Sequence, residues 1–145
     1  LPADAEAVVR QTLLFVQESL VARGEIGSDA EIVAASEMLG EDYTMGPRHP
    51  NGILESMRLA VDRIARLDSV LVCSPDRPGR NKCELRADAL LHVGAPSVEG
   101  DSATIRVNVW TVTQTGWVQL TGSEIALARR TDGWEVVGRR RTVRS

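Results

Sequence analysis

The residues that could do chemistry in this 145-residue chain are few: two Cys, two His, one Tyr and three Trp. Tyr43 and His49 share a stretch rich in Pro and Gly, residues 41–52. Tyr offers a hydrogen-bond donor and His a base that titrates near neutral pH, so a scaffold that holds this loop at a pocket rim would make them ligand contacts. The plainer reading is a surface loop with a half-buried Tyr. Arg86, Asp88, Leu90 and His92 occupy alternate positions of one run, and Arg106, Asn108 and Trp110 of another. If the two runs are neighbouring strands, acid, base and cation share one face, a set that could serve proton transfer or ester hydrolysis. Alternation puts that face opposite the apolar one, so the plainer reading is a solvated outer face. Arg and Trp on it suit an interface with a second copy, formed by Arg86, Leu90, His92, Arg106, Asn108 and Trp110.

Cys73 and Cys83 are separated by nine residues that include two Pro, a Gly and an Asn. No Cys-x-x-Cys and no His pair accompanies them, so zinc is a poor fit. A disulfide that clamps a turn-rich loop is the economical reading, and it would stabilise by about 2–3 kcal/mol. Disulfides persist outside the reducing cytosol, so a periplasmic, secreted or envelope-anchored location is expected. The alternative is a pair of free thiols on adjacent strands. The chain begins at Leu1, which a removed leader, a lipid anchor or trimming would each explain. Trp117 and Trp134 follow turns and are candidates for core or pocket-rim packing. Ser74, Ser97 and Ser123 have no base near them in sequence, and there is no Gly-rich phosphate loop. No cofactor and no metal is therefore expected.

The elements that must position these residues divide the chain in two. Residues 3–23 carry Val8, Val9, Leu13, Val16 and Leu20 at helical spacing. Ser28 and Glu31 read as a capping box for a helix over 29–39. Ile53, Met57, Ala60, Val61 and Ile64 predict a third helix over 52–67, the one expected to cross the sheet. From residue 69 the period changes to two, with strands predicted at 70–73, 83–93, 103–113, 117–129 and 134–143. Gly122-Ser123 marks a bulge and Asp132-Gly133 a hairpin turn. One α+β domain over 1–145 follows: three N-terminal helices packed on a curved antiparallel sheet of four to six strands.

Composition excludes little, but what it excludes is useful. The hydrophobic fraction of 43% and charged fraction of 26% are those of a globular protein. No apolar run approaches the roughly 18 residues of a membrane span. Residues 1–68 hold 12 acidic and 6 basic side chains, and residues 69–145 hold 8 and 11. That mild asymmetry lacks the dense basic stripe of a nucleic-acid binder. Arg139, Arg140 and Arg141 alternate across a strand, so they form no single patch.

Asp132-Gly133-Trp134-Glu135-Val136, after long alternating strands and N-terminal helices, resembles the cystatin-like roll of the ketosteroid isomerase, polyketide cyclase and nuclear-transport-factor superfamily. The resemblance implies a bent sheet wrapped around a long helix, with a cone-shaped pocket at one end. Its enzymes place acids, His or Tyr in that cone. Here the inward face reads Leu85, Ala87, Ala89, Leu91, Val93 and Ile105, Val107, Val109, with no acid. The expectation is a non-catalytic binding domain for a small apolar ligand or a protein partner, with Tyr43, His49, Trp117 and Trp134 at the ligand. The alternatives are a small isomerase, cyclase or hydrolase using Tyr43, His49, Asp88 and His92, and a homodimer assembled through the sheet.

Overall fold

The computed structural model describes residues 2–40 and 45–144. Helix α1 (Pro2–Ala22) buries the predicted stripe, with Val8, Val9 and Leu13 at 0% exposure. It ends in a two-bond cap: the Glu25 N–H donates to the Leu20 carbonyl and the Gly24 N–H to that of Val21. Gly24 supplies the φ of +74° that this cap requires.

After α1 the chain departs from the expected order. Strands β1 (Ile32–Ala35) and β2 (Glu37–Leu39) occupy the segment read as a second helix. All four residues of β1 are buried, and both of its neighbours, β4 (Arg63–Ala65) and β7 (Ala89–Val93), run parallel to it. A strand covered on both faces shows a continuous apolar run without alternation, and Ile32, Ala35 and Leu39 then imitate helical spacing. β3 (Met45–Arg48) pairs with β2. The predicted third helix shortens to α2 (Asn51–Arg58), followed by a turn, β4 (Arg63–Ala65) and the single turn α3 (Leu67–Val70). Two carboxylates make the difference. Asp62 accepts the Ile32 N–H at 2.7 Å while its own N–H donates to Ile32, and Asp88 accepts the Glu31 N–H at 2.7 Å. They hold the start of β1 between the entries to β4 and β7, a tertiary closure that outweighs the helical pattern of 59–67.

β5 (Leu71–Arg77) and β6 (Arg80–Leu85) form a separate antiparallel hairpin. β7 (Ala89–Val93), β8 (Ser97–Glu99), β9 (Ser102–Val112), β10 (Val118–Arg130) and β11 (Gly133–Arg144) complete the chain. The main sheet has seven strands in the order β11-β10-β9-β7-β1-β4, with β8 on β9. It is mixed, not antiparallel, and one long helix rather than three accompanies it. The expected α+β roll of three helices on a four- to six-stranded antiparallel sheet is therefore incorrect. The last three strands match their predicted spans within a residue or two, and the β10–β11 register shifts at Gly122/Ser123 as the bulge signal implied.

The sheet has two covered faces. On one, α1 and α2 pack over Ala34, Leu91, Val93, Ile105, Val107, Val109, Ile125 and Leu127. On the other, Val33, Ala35, Val70 and Leu90 form a smaller cluster, with Leu67, Leu71, Leu85 and Trp110 packed against it. The predicted strand 83–93 is thus broken at Arg86–Asp88. Leu85 and Ala87 pack against the smaller cluster, while Ala89, Leu91 and Val93 join the larger.

Candidate functional site

The smaller face carries the candidate site. The hairpin β5–β6 turns at Gly79, whose φ is +77°, and Cys73 lies directly opposite Cys83. The two are joined in a disulfide with 4.0 Å between their Cα atoms. The nine residues between them are mostly ladder rather than loop, since Ser74 and Pro75 pair with Lys82 and Asn81. The bond therefore staples a two-stranded flap that has few neighbours of its own. Leu71 and Leu85 at its root rest on the sheet.

Between this flap and the outer end of β9–β10 lies a cleft of about 590 Å³. Its floor is the row Trp110–Leu120, which are register partners, with Val118 and Leu71 beside them. Asp76, Lys82 and Cys83 of the flap form one wall, and Thr115, Gly116 and Trp117 the other. Residues 113–117 are a closely bonded turn. The Thr113 N–H donates to the Trp117 carbonyl at 2.8 Å, the Gly116 N–H donates to the Thr113 carbonyl at 2.9 Å, and the Trp117 N–H donates to Thr113 Oγ1 at 3.2 Å. That turn holds the Trp117 indole at the cleft's edge with 63% of its surface exposed. The volume lies in the range of small-molecule sites, and an apolar floor with a few polar groups at the rim is their usual make-up.

Behind the floor sits a buried polar cluster. His92 and Asn108 are cross-strand partners, 1% and 2% exposed, and Gly122 continues their row on β10. The His92 ring stacks on Trp110, its diagonal neighbour, with centroids 6.0 Å apart. His49, just after β3, is 3% exposed, and its N–H donates to the Ser36 carbonyl. Both ring nitrogens of His92, Nε2 of His49 and Oδ1 of Asn108 have no aligned hydrogen-bond partner. Burial pushes the His49 imidazole down to about 4 and the neighbouring His92 pushes the same way, against the Val93 backbone and the Glu37 charge. Burial also lowers His92, against the Met38 and Glu37 backbone and the Glu37 carboxylate. Burial alone would raise Glu37. The Leu67 N–H on Oε1, the Ser36 hydroxyl on Oε2, the Glu37 N–H and the Arg66 charge outweigh it, so Glu37 sits below the usual carboxylate range.

Of the residues expected at a ligand, Trp117 lines the cleft. His49 is buried away from it, and Tyr43 lies outside the described residues. Trp134 is 7% exposed on the opposite face, where its Nε1 donates to Asp4 and its ring lies under Arg129 at 4.6 Å. It is a packing residue of that face. The residues expected on an outer face do share one: Arg106, Asn108 and Trp110 of β9 point with Leu90 and His92 of β7. The chain's own α3 and hairpin cover that face over Leu90, β2 lies beside His92, and Leu90, His92 and Asn108 are all buried within the chain. Trp110 and Arg106 are half-buried and Arg86 is exposed. The acid, base and cation set disperses: Asp88 caps β1, and His49 and His92 meet in the interior rather than at either cavity.

Three features escaped the sequence reading. Glu37, inside the segment expected as a helix over 29–39, is 9% exposed. Its signal was a lone acid inside the apolar run 32–39. Leu71 and Leu120 looked like ordinary strand residues, and nothing in the sequence brings them together. A second cavity of about 330 Å³ lies between Met38–Gly40, Gly46–Pro47 and residues 94–106 of the sheet. Its glycines serve close backbone approach, since a Cβ on Gly46 would meet the Met38 carbonyl at 2.9 Å. Among the described residues no His, Cys, Asp and Glu side chains group as a metal site, and no helix is long and apolar enough to cross a membrane. No protein-family model, no curated protein and no solved structure matches the chain.

Proposed function

We propose that this protein is a non-catalytic binding domain that holds a small apolar ligand in the cleft between the disulfide hairpin and the β9–β10 corner. The single observation that carries the reading is the pair of indoles on that cleft. Trp110 is half-buried in its floor and Trp117 is 63% exposed on its wall. A large apolar side chain held in water by its own hydrogen-bonded turn loses hydration on binding and needs no rearrangement, which favours affinity. Asp76 and Lys82 at the rim would orient a polar end. The disulfide supports an exported location, since it would not persist in a reducing compartment.

The test is titration with the uncharged fluorophore N-phenyl-1-naphthylamine. Saturable binding at one site is expected, with affinity reduced at least tenfold in Trp117→Ala. Equal binding by that variant would refute the cleft as the site. Native mass spectrometry of the same sample separates a bound small molecule from a second copy of the chain.

A further inference from the structure

The cleft and one of the buried histidines meet at one side chain. Trp110 presents its indole to the cleft and stacks on the His92 ring, 6.0 Å between centroids and 30° between planes. Neither nitrogen of His92, at 1% exposure, makes an aligned hydrogen bond, although the Met38 and Glu37 backbone lies beside the ring, and burial leaves neutral imidazole as its stable form. The described groups that face it are few. From β2 comes Glu37, both of whose carboxylate oxygens already accept bonds, from Ser36 and the Leu67 N–H. From the end of β3 comes His49, and Arg66 before α3 adds charge near Glu37. From β9 come the uncharged Asn108 and Trp110, with Arg106 two residues along the same face. Arg48 lies opposite Glu37 in the β2–β3 register and is exposed.

From this arrangement, and resting on the cleft reading above, we infer that the protein releases its ligand on acidification, with His92 and His49 as the trigger and Trp110 as the relay. An imidazolium at His92 must find acceptors. Those nearby are the Glu37 and Met38 carbonyls and the Glu37 carboxylate, all on β2, whereas Trp110 is on β9. Aligning the ring on those carbonyls draws it toward β2 and loosens its stack on Trp110. A cation over the indole is attractive, but a buried charge without hydrogen bonds costs more than that contact returns. A second charge on His49 repels the first and loosens the β2–β3 ribbon that holds it. Both movements remove support from the cleft floor. The lowered affinities of both rings for protons place the response below neutral pH.

The experiment uses the intact chain with ¹³C-labelled histidine. Its two histidines give two ring signals, assigned with His49→Gln. Fluorophore affinity is measured from pH 7.5 to 4 on the same samples, and far-ultraviolet circular dichroism reports the fold. The expected result is an affinity loss of at least tenfold that follows the His92 signal, with the dichroism unchanged. His92→Phe, which keeps a ring against Trp110, should bind at every pH within twofold of its neutral value, and His92→Gln gives the same comparison if the Phe variant fails to fold. A flat wild-type curve, a full pH response in both variants, or unfolding over the same pH range would each overturn the inference. If Trp117→Ala binds normally at pH 7.5, the cleft reading falls and takes the switch with it. If that variant is impaired and the pH curve is flat, the switch alone falls.

Discussion

The two faces of the sheet are held in opposite ways. On the helical face, 21 buried apolar side chains form one cluster, and its polar edge is paired. Arg129 grips Asp4 with two bonds of 2.8 and 3.0 Å and donates to Asp101 at 3.1 Å, while Trp134 donates to the same Asp4. The Arg129 and Trp134 bonds hold Asp4 down to about 2. On the hairpin face only four buried side chains form a cluster, and beside it lie four polar atoms without aligned partners. One face is a finished core. The other leaves an open cleft over a buried polar layer. Stability concentrated on one face frees the other for a site, because binding surfaces are drawn from the less stable parts of a fold.

Truncation should expose that asymmetry most strongly. Leu13→Ala on the helical face should cost about 3 to 5 kcal/mol, and Leu71→Ala, half-buried under the hairpin, about 1 kcal/mol. Urea unfolding measures both, and equal losses would break the contrast. Acid is the next largest perturbation. His49 is pushed from 6.5 to about 4. The unfolded chain therefore takes up the proton first, and stability that is full above pH 6.5 is lost as the pH falls toward 4. At about 1.4 kcal/mol per unit the loss is about 3 kcal/mol, and His49→Gln should flatten it over that window. The Asp4 pair works lower, because its depressed pKa keeps its contribution above about pH 4 and yields it only toward pH 2.

Reduction of Cys73–Cys83 should lower stability by about 2–3 kcal/mol and weaken binding in the cleft. Amide exchange would sharpen this prediction: faster exchange confined to 71–85 is expected, and acceleration throughout β9–β11 would mean that the hairpin supports the whole sheet. The smallest effect should come from Trp117→Ala, within about 0.5 kcal/mol in thermal unfolding, because an exposed side chain has little packing to lose. Loss of fluorophore binding without loss of stability would mark Trp117 as a functional rather than a packing residue.

Local sequence determined a good deal here. The stripe of α1, its Gly24 cap, the long strands β9–β11, the bulge at Gly122, the turn at Gly133 and the Cys73–Cys83 bond all follow from signals within a few residues of one another. Each is an element whose pattern repeats on one face, so period and turn chemistry suffice to find it. Tertiary structure alone decided the rest. β1 could be recognised only once parallel strands flanked it and packed layers covered both its faces, and β4 only once Asp62 had joined it to Ile32. The cleft takes Leu71 from one hairpin and Trp110, Trp117 and Leu120 from another. Alternation placed His92, Asn108 and Trp110 on the correct common face, but it could not show that α3 and the hairpin would cover part of that face. Periodicity reports which side chains share a side. What covers that side depends on contacts between residues far apart in the chain, and no local pattern encodes them.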